Sequence, residues 1–403
     1  MSNTAVTCSI VAKEALPILS NMLSFSKNVN RDWQDEYTSN VGRGYMPGTQ
    51  ILIKKPPRYT YRAGRVSVPQ ATVETSVPLT LSQGGCDLNF TSLEQTLSFN
   101  KLEQKVAAAM APVANEIDRQ GLQLAHYSTF NTLNAAGALP TTQALAVAAM
   151  TDANRRLDEM GAPVKDGNRS FCMNPALNGA MIQGYAGLFN NAQKVSGQYD
   201  TGYMNKSFGL SPMMDQNVDI HTNGTQVVTG TAVAAGLSGA SIACVGLGGT
   251  ITRGTVVQFP GVFAVNPQTR QSSGVLAQFV ITADLAAAAV ALPISPAMVT
   301  SGAFQNVSNA TTAANFTIVG AASTAYSTNI AYHKDAFSLA MVPMWAPKGG
   351  KGVIDVAQET MDGFTVKVTQ FYDGVNDNAI WRLDVLFGWV ATYPELSAKF
   401  YTV

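Results

Sequence analysis

Apolar positions recur at helical spacing along several stretches of this chain. Between residues 93 and 117 they return every three to five residues and form one stripe, which predicts a long amphipathic helix to about Gln120. Pro112 is expected to kink this helix. The stripe comprises Leu93, Leu97, Leu102, Val106, Met110, Val113 and Ile117.

Three shorter helices are predicted around the long one. Residues 5–25 have an amphipathic pattern that a proline interrupts. A second helix begins near Thr142 and ends at Gly161, because a glycine with a proline soon after it is a typical stop signal. A third helix follows the short strand NRSFCM, with Asn174 as its cap and Pro175 at its first position.

Near the C-terminus the apolar period changes to two, which is typical of strands. Two long strands joined by a turn at Asp373 and Gly374 are predicted, the second with one aromatic and apolar face. The run before them, residues 329–344, predicts a strand that leads into a short helix. In the last strand, Trp381, Leu383, Val385, Phe387 and Trp389 alternate with Arg382, Asp384, Leu386 and Gly388.

Residues 42–74 are basic and are punctuated by glycine and proline. The runs TQILIKK and RYTYR predict the strands of a hairpin, and no acid lies between Glu36 and Glu74. A two-stranded hairpin has little core, so it is expected to be stable only against another surface. The following SVPLTLSQGGCDLNF predicts a strand and a turn before the long helix. The cations are Arg43, Lys54, Lys55, Arg58, Arg62 and Arg65.

The composition changes sharply near His221. Between residues 220 and 327 the charged residues are Arg253, Arg270 and Asp284 alone, and short Thr- and Val-rich runs alternate with Gly and Pro. This pattern predicts a compact antiparallel barrel or sandwich. Because helical and mixed segments lie on both sides, we interpret it as a domain inserted into another.

Charge and cysteine content narrow the functional class. Charged residues make up 13% of the 403 residues and the net charge is zero, so a lone soluble monomer would tend to associate. A neutral Ala/Gly/Thr-rich protein is one explanation, and a surface covered by copies of itself is the other. The four cysteines lie far apart, which fits a reducing compartment. No signal peptide or membrane-spanning run is recognised, so a cytoplasmic, soluble product is expected.

The motifs of catalysis are missing from the sequence. None of the three histidines has a Cys, Asp or Glu at the spacing of metal ligands, except that Asp335 stands close to His333. We interpret residues 333–335 as a surface turn before a helix. The glycines of residues 246–249 lack the rest of a dinucleotide fingerprint, and neither a Walker lysine nor a GxSxG elbow occurs. No enzymatic activity, cofactor or metal is therefore expected.

Several of these segments, in this order, resemble one family. GTQILIKKPPRYTYRAG is similar to the extended loop of P22-like phage coat proteins. SVPLTL and LNFTSLEQTLS resemble the strand and the start of the long spine helix of the Hong Kong 97-type capsid fold. The helix after SFCMNP resembles one in the axial domain of that fold, and WRLDVLFGWVATYPEL resembles the end of its peripheral domain. The N-terminus departs from the pattern because it has no long helical scaffolding segment with a protease site.

The resemblance implies an α+β capsid fold with an inserted all-β domain. Residues 1–40 would be an N-terminal arm and residues 41–85 an extended β-hairpin loop. Residues 86–220 and 328–403 would form the peripheral and axial core, and residues 221–327 the inserted barrel-like domain.

The resemblance also implies a structural function. The expected protein is a major capsid protein that assembles into the icosahedral shell around the double-stranded DNA of a tailed phage. Its expected partners are copies of itself in hexamers and pentamers, a separate scaffolding protein, a portal protein and, non-specifically, the packaged DNA. A decoration protein is left open and no membrane is involved. Assembly is expected in the cytoplasm of the host bacterium.

The basic stretch at residues 43–65 allows a different function. Its cations, interleaved with Tyr59 and Tyr61, would also suit binding of nucleic acid. The neutral chain and the family resemblance favour contacts between subunits instead. The candidate acidic partners on a neighbouring copy are Asp32, Asp35, Glu36, Asp152, Asp158 and Glu159.

Overall fold

The computed structural model describes residues 8–39, 48–67, 69–91, 102–185, 206–346 and 353–403. The chain divides into two compact units. Unit 1 comprises Met1–Ile53, Val77–Gly121 and Ser338–Val390, and unit 2 comprises Lys54–Ser76, Leu122–Phe337 and Ala391–Val403. The helices in the described ranges are α1 (Cys8–Met22), α2 (Gln34–Ser39), α3 (Leu102–Ser128), α4 (Gln143–Glu159) and α5 (Pro175–Tyr185).

The first two strands form a hairpin that is a two-stranded sheet of its own. β1 (Gln50–Lys55) pairs with β2 (Thr75–Thr80), which confirms the strands predicted from TQILIKK and SVPLTL. The run RYTYR is not a strand, and that prediction was wrong. Pro56 and Pro57 stand directly before it, and two residues without a backbone donor end the strand there.

Unit 1 contains a five-stranded sheet. Its strands are β3 (Ser82–Thr91), β15 (Phe337–Met341), β16 (Val353–Met361), β17 (Phe364–Asp373) and β18 (Asn378–Ala391). They lie in the order β15-β18-β17-β16, and β3 also pairs with β18. Asp373 pairs with Asn378 across the hairpin, which confirms the predicted turn. Helix α1 packs against β16 and β17.

Three further predictions need correction. α1 continues through Pro17 instead of being interrupted, because its apolar side is buried and tertiary packing offsets one lost hydrogen bond. Residues 82–91 form β3 and not a turn, since Gly85 lets the backbones meet: a Cβ there would lie 2.3 Å from the carbonyl oxygen of Leu383. The predicted helix after His333 is a short 3-10 turn followed by β15, all of whose side chains are buried.

The long-helix prediction is confirmed over the part that the structure describes. Val106, Met110, Val113 and Ile117 of the stripe are buried on α3. The predicted start near Leu93 lies outside the described residues. The helices α4 and α5 are also confirmed, with Thr142 before the first of them.

Two sheets lie in unit 2. The first contains β4 (Thr132–Leu133), β5 (Arg169–Met173), β6 (Ser211–Met214), β7 (Ile220–Thr222), β14 (Ala325–His333) and β19 (Ser397–Thr402). Its order is β4-β19-β14-β5-β6, and β7 also pairs with β14. Residues of α4 and α5 share an apolar core with Phe171 and Phe400 of this sheet. Asn174 accepts from the amide of Leu177 at 2.8 Å, which confirms the predicted cap of α5.

The second sheet is entirely antiparallel. It contains β8 (Thr229–Val233), β9 (Gly239–Ala243), β10 (Val256–Val265), β11 (Ser272–Ile281), β12 (Ala291–Met298) and β13 (Ala314–Ile318). The order is β8-β13-β10-β11-β12-β9. A bridge between Val233 and Cys244 joins the two ends of this order, so the sheet curls toward closure around an apolar core that includes Phe259, Phe279 and Phe316.

Candidate functional site

The base of the basic stretch is fastened to the rest of unit 2. We call residues 54–74 the basic loop. Lys54 of β1 forms an exposed ion pair at 2.9 Å with Glu74, the residue directly before β2. The ammonium of Lys55 lies 5.1 Å from the ring centroid of Tyr393, and partial burial lowers the pKa of Lys55. Arg58 Nη2 lies 3.5 Å from Glu395 Oε1.

The middle of the basic loop is held by its own polar groups. Thr60 and Gln70 form two reciprocal hydrogen bonds, of 2.7 Å from the Thr60 amide and 2.8 Å from Gln70 Nε2. The hydroxyls of Tyr59 and Thr72 lie 3.0 Å apart. Arg270 Nη2 donates to the carbonyl oxygen of Tyr59 at 2.9 Å, so a side chain from the turn between β10 and β11 also holds the loop.

The tip of the basic loop, residues 61–67, is exposed throughout. Tyr61 is 93% exposed and Val66 is 79% exposed. The guanidinium of Arg62 donates to the carbonyl oxygens of Gly64 and Val66, which stabilises a tight turn with φ of +90° at Gly64. Arg65 forms no ion pair within the described part of the chain. The tip therefore offers apolar and cationic side chains to solvent.

The predicted cations therefore separate into distinct groups. Arg43 lies outside the described residues. Lys54 and Arg58 pair with acids of the same chain, and Lys55 lies over an aromatic ring. Arg62 and Arg65 lie at the exposed tip.

The predicted acidic partners lie in two places. Asp32, Asp35 and Glu36 are exposed, just before and within the first turn of α2 in unit 1. The other three acids lie on α4 in unit 2 and have partners in this chain. Asp152 and Glu159 pair with Arg155. Asp158 lies 2.6 Å from Arg169 Nη2.

The residues that receive the loop were not found from the sequence. Tyr393 and Glu395 lie hundreds of positions from Lys55 and Arg58, which they contact. Arg270 likewise lies far along the chain from Tyr59, to whose carbonyl oxygen it donates. No local pattern marks them, because the sheet topology and not their sequence neighbours brings them together. Tyr393 stands in the segment YPEL, which the sequence presents only as a break between strands.

The remaining candidate residues from the sequence are His333, the possible metal ligands and the cysteines. His333 is buried and not on a surface turn as predicted, because its Nε2 lies 2.6 Å from Asp166 Oδ2 and its Nδ1 accepts from the amide of Asp335. Within the described ranges, no three His, Cys, Asp or Glu side chains are grouped so as to hold a metal ion. The four cysteines all lie in the described part of the chain and form no disulfide. None of the helices that the structure describes has the length and apolar character needed to span a lipid bilayer.

Comparison with known proteins identifies the family. The model of the family described as "P22 coat protein - gene protein 5" matches residues 2–400. Among curated protein sequences none matches the chain.

Several solved structures are similar to this chain at low identity. One described as Mycobacterium phage Che8 has 10% identity and a TM-score of 0.49 over 94% of this chain and 90% of that chain. The capsid of cyanophage P-SCSP1u has 10% identity and a TM-score of 0.43, with 88% and 84% covered. A virus-like particle from Pyrococcus furiosus has 8% identity and a TM-score of 0.44, with 97% of each chain covered.

The family match extends over nearly the whole chain, and the described elements combine helices and sheets in an α+β fold of the capsid type. The chain therefore belongs to the P22 coat protein family, and its function is structural, as a major capsid protein of the virion.

Proposed function

We propose that copies of this chain assemble into a closed icosahedral shell around the double-stranded DNA of a tailed phage, with the basic loop lying on a neighbouring copy. The observation that carries this is the contrast within the loop. Its base is fastened to its own chain by the Arg58–Glu395 pair, whereas its tip exposes Tyr61, Arg65 and Val66. A held segment with an uncovered apolar tip is typical of a docking element.

The composition of the tip suits a contact between proteins. Tyrosine and arginine are enriched among the residues that dominate interface energies, since they combine area with hydrogen bonding. A loop that reaches from each copy to the next makes a heterologous contact, and such contacts close into rings. Hexamers and pentamers of this kind would tile the shell.

The acids near α2 are candidates to receive the tip, because Asp32, Asp35 and Glu36 are exposed. Asp152, Asp158 and Glu159 lie in ion pairs with arginines of their own chain, which a neighbour's arginine would have to share. We propose pairing of Arg62 or Arg65 with one of these two groups.

We also propose the domain division expected from the sequence. Residues 1–40 would be the arm, 41–85 the extended loop, 86–220 with 328–403 the core, and 221–327 the inserted domain. The sheet of β8 to β13, with its own apolar core, supports the last of these. The role is proposed to be purely structural, without enzymatic activity.

The remaining partners follow from the charge of the chain. With a net charge of zero the shell would touch DNA only weakly and non-specifically, so a portal and a packaging motor would drive the DNA inside. A scaffolding protein would direct assembly in the cytoplasm of the host, and a decoration protein would bind outside if one is present.

The test is expression of the full chain with and without the scaffolding protein of the same phage, followed by sedimentation and negative-stain electron microscopy. Closed particles of uniform size in the co-expressed sample are the expected result. A protein that stays monomeric with its scaffold would overturn the proposal. The nucleic-acid alternative, which the comparisons do not support, predicts instead a monomer whose DNA affinity falls steeply with salt.

A further inference from the structure

A cavity of about 420 Å³ lies in unit 2 beside the base of the basic loop. Residues 55–58 form one wall, β10 and β11 contribute another, and the segment around Tyr393 contributes a third. Its volume lies within the range of small-molecule sites in proteins. The capsid function described above does not use it.

The walls of the cavity are mostly apolar. The large apolar side chains that line it are Phe130, Met160, Val265, Phe279, Phe304 and Val307. Phe279 is 1% exposed and Val265 is 4% exposed, so these walls belong to the packed core and would not collapse readily into the space.

More cationic than anionic side chains line the cavity. The cations are Lys55, Arg58 and Arg156, and the anion is Glu395. Arg156 is only 4% exposed. Its Nη1 lies 3.0 Å from Glu159 Oε2 and its Nη2 donates to Gln278 Oε1 at 3.2 Å.

Two buried polar atoms of lining residues lack partners among the described residues. They are Nε of Arg156, which is a donor, and Oδ1 of Asn131, which is an acceptor. Both residues lie close to Gln278 and Thr132, which bond to each other through the Thr132 amide at 2.6 Å. A buried donor without a partner is unfavourable, so a ligand that supplies an acceptor to it gains affinity.

We propose that this cavity is a binding site for an elongated apolar molecule with one carboxyl head group, such as a medium-chain fatty acid. The alkyl chain packs against the phenylalanine and valine walls. A carboxylate oxygen accepts from Nε of Arg156, which has no other partner among the described residues. The cation excess selects a carboxylate over a neutral or cationic head group.

Occupancy of this site would also affect the basic loop. Lys55 and Arg58, which fasten the loop to Tyr393 and Glu395, belong to the cavity wall. A bound alkyl chain would fill the space behind them and restrict the loop base. The inference concerns one copy of the chain and holds whether or not the loop docks on a neighbour.

Isothermal titration calorimetry of the purified full chain tests the site, with decanoate, decanol and decyltrimethylammonium as probes at concentrations below their micelle formation. Decanoate is expected to bind at least about tenfold more tightly than the other two, since a charge-assisted hydrogen bond supports discrimination of that size. Equal binding of the three probes, or no saturable binding of decanoate, overturns the proposal.

Two tryptophan variants locate the binding. Gln305 lines the cavity and is half-buried, whereas Ser301 is exposed in the same segment and does not line it. Gln305→Trp should abolish decanoate binding and Ser301→Trp should leave it unchanged. Unchanged binding in Gln305→Trp overturns the proposal. A combination of two results would also count against it: the parent protein binds no decanoate, and Gln305→Trp no longer assembles into shells. The cavity would then be occupied by a neighbouring chain and not by a small molecule.

The head-group contact has its own variant. Arg156→Gln should weaken decanoate binding by about tenfold and leave decanol binding unchanged, a difference that general loosening of the fold would not produce. An equal loss for both probes contradicts the assigned role of Arg156. If Arg156→Gln does not fold, the Gln305 and Ser301 variants still decide whether the cavity is the site.

Discussion

Lys399 donates two hydrogen bonds from a fully buried ammonium, one of them to the carbonyl oxygen of His126 at 3.1 Å. The other reaches the carbonyl oxygen of Gly254 at 3.0 Å. Burial lowers the pKa of Lys399 to about 7. The imidazole of His126 lies 4.8 Å from that of His221 and 2.6 Å from Asp219 Oδ2. Unit 2 is thus built around basic groups that the fold holds out of water.

We predict that unit 2 loses stability as the pH falls below 6.5. Burial lowers the pKa of His126 from 6.5 to about 4. Between these two pH values the imidazole therefore stays neutral in the native state but takes up a proton in the unfolded chain. The unfolded state then binds more protons, and the free energy of unfolding decreases as the pH falls from 6.5 to 4. The pKa of His221 is lowered in the same direction by its burial.

The variant His126→Asn isolates this effect. An asparagine keeps a donor for Asp219 but does not titrate. Denaturant unfolding of both proteins between pH 7.5 and 4.5 should show the parent losing stability relative to the variant, by on the order of 2–3 kcal/mol at the acid end of this range. A constant difference over this range would contradict a neutral, buried His126.

A second prediction concerns alkaline pH and Lys399. Because the pKa of Lys399 is lowered from 10.5 to about 7 in the native protein, the unfolded state binds more protons between these values, and this group adds stability as the pH rises. Lys399→Met removes the titration and the buried charge. The stability of the parent minus that of the variant should therefore increase between pH 7 and 9.5, by at most about 1.4 kcal/mol per pH unit.

The difference between the two proteins is the quantity to measure, since other groups titrate in the same range. Burial raises the pKa of Cys8 to about 12, so above pH 9 the unfolded chain loses this proton first and the free energy of unfolding decreases. This loss is the same in both proteins. A pH-independent difference between parent and Lys399→Met would show that the ammonium titrates normally.

Elements with local signals could be predicted from the sequence. The cap of α5 at Asn174 and the stop of α4 at Gly161 depend on side chains within a few positions, as does the hairpin turn after Asp373. The family resemblance rested on the order of such segments, and the match to the coat protein family confirms it.

Elements whose structure is set by tertiary contacts could not be predicted from the sequence. β3 looks like a turn because Gly84 and Gly85 stand in it, yet Gly85 admits the backbone of β18. Phe337–Met341 has no period to separate a helix from a buried strand. The cations of the basic loop could be identified from the sequence. The contacts of the loop with Glu395 and Arg270 could not, because only the fold brings these residues together and no sequence spacing marks them.

A third prediction tests a close approach within unit 1. A Cβ on Gly121 of α3 would lie 2.6 Å from the indole of Trp389, whose Nε1 donates to the carbonyl oxygen of Ile117 at 3.1 Å. Gly121→Ala must displace that ring, so we expect a loss of about 1–3 kcal/mol in the free energy of unfolding and a shift of tryptophan fluorescence.

Gly179 on α5 is the matched control for that variant. A Cβ there meets open space, and alanine favours a helix over glycine, so Gly179→Ala should stabilise the protein by about 0.5–1 kcal/mol. Two variants of the same kind are thus expected to act with opposite signs in urea unfolding. A neutral Gly121→Ala would mean that the indole does not occupy this position in solution.

The last prediction separates assembly from folding. Arg65 is exposed at the tip of the basic loop and has no ion pair within the described residues, so Arg65→Glu should change the free energy of unfolding by less than about 0.5 kcal/mol. If the tip meets acids of a neighbouring copy, the same change places like charges together and should strongly reduce closed particles in sedimentation with the scaffold. Lys165→Glu, an exposed reversal of the same sign outside the loop, should assemble normally. Both reversals change the net charge by the same amount and differ only in their position. Equal assembly of the two variants would therefore argue against a contact made by the tip of the loop.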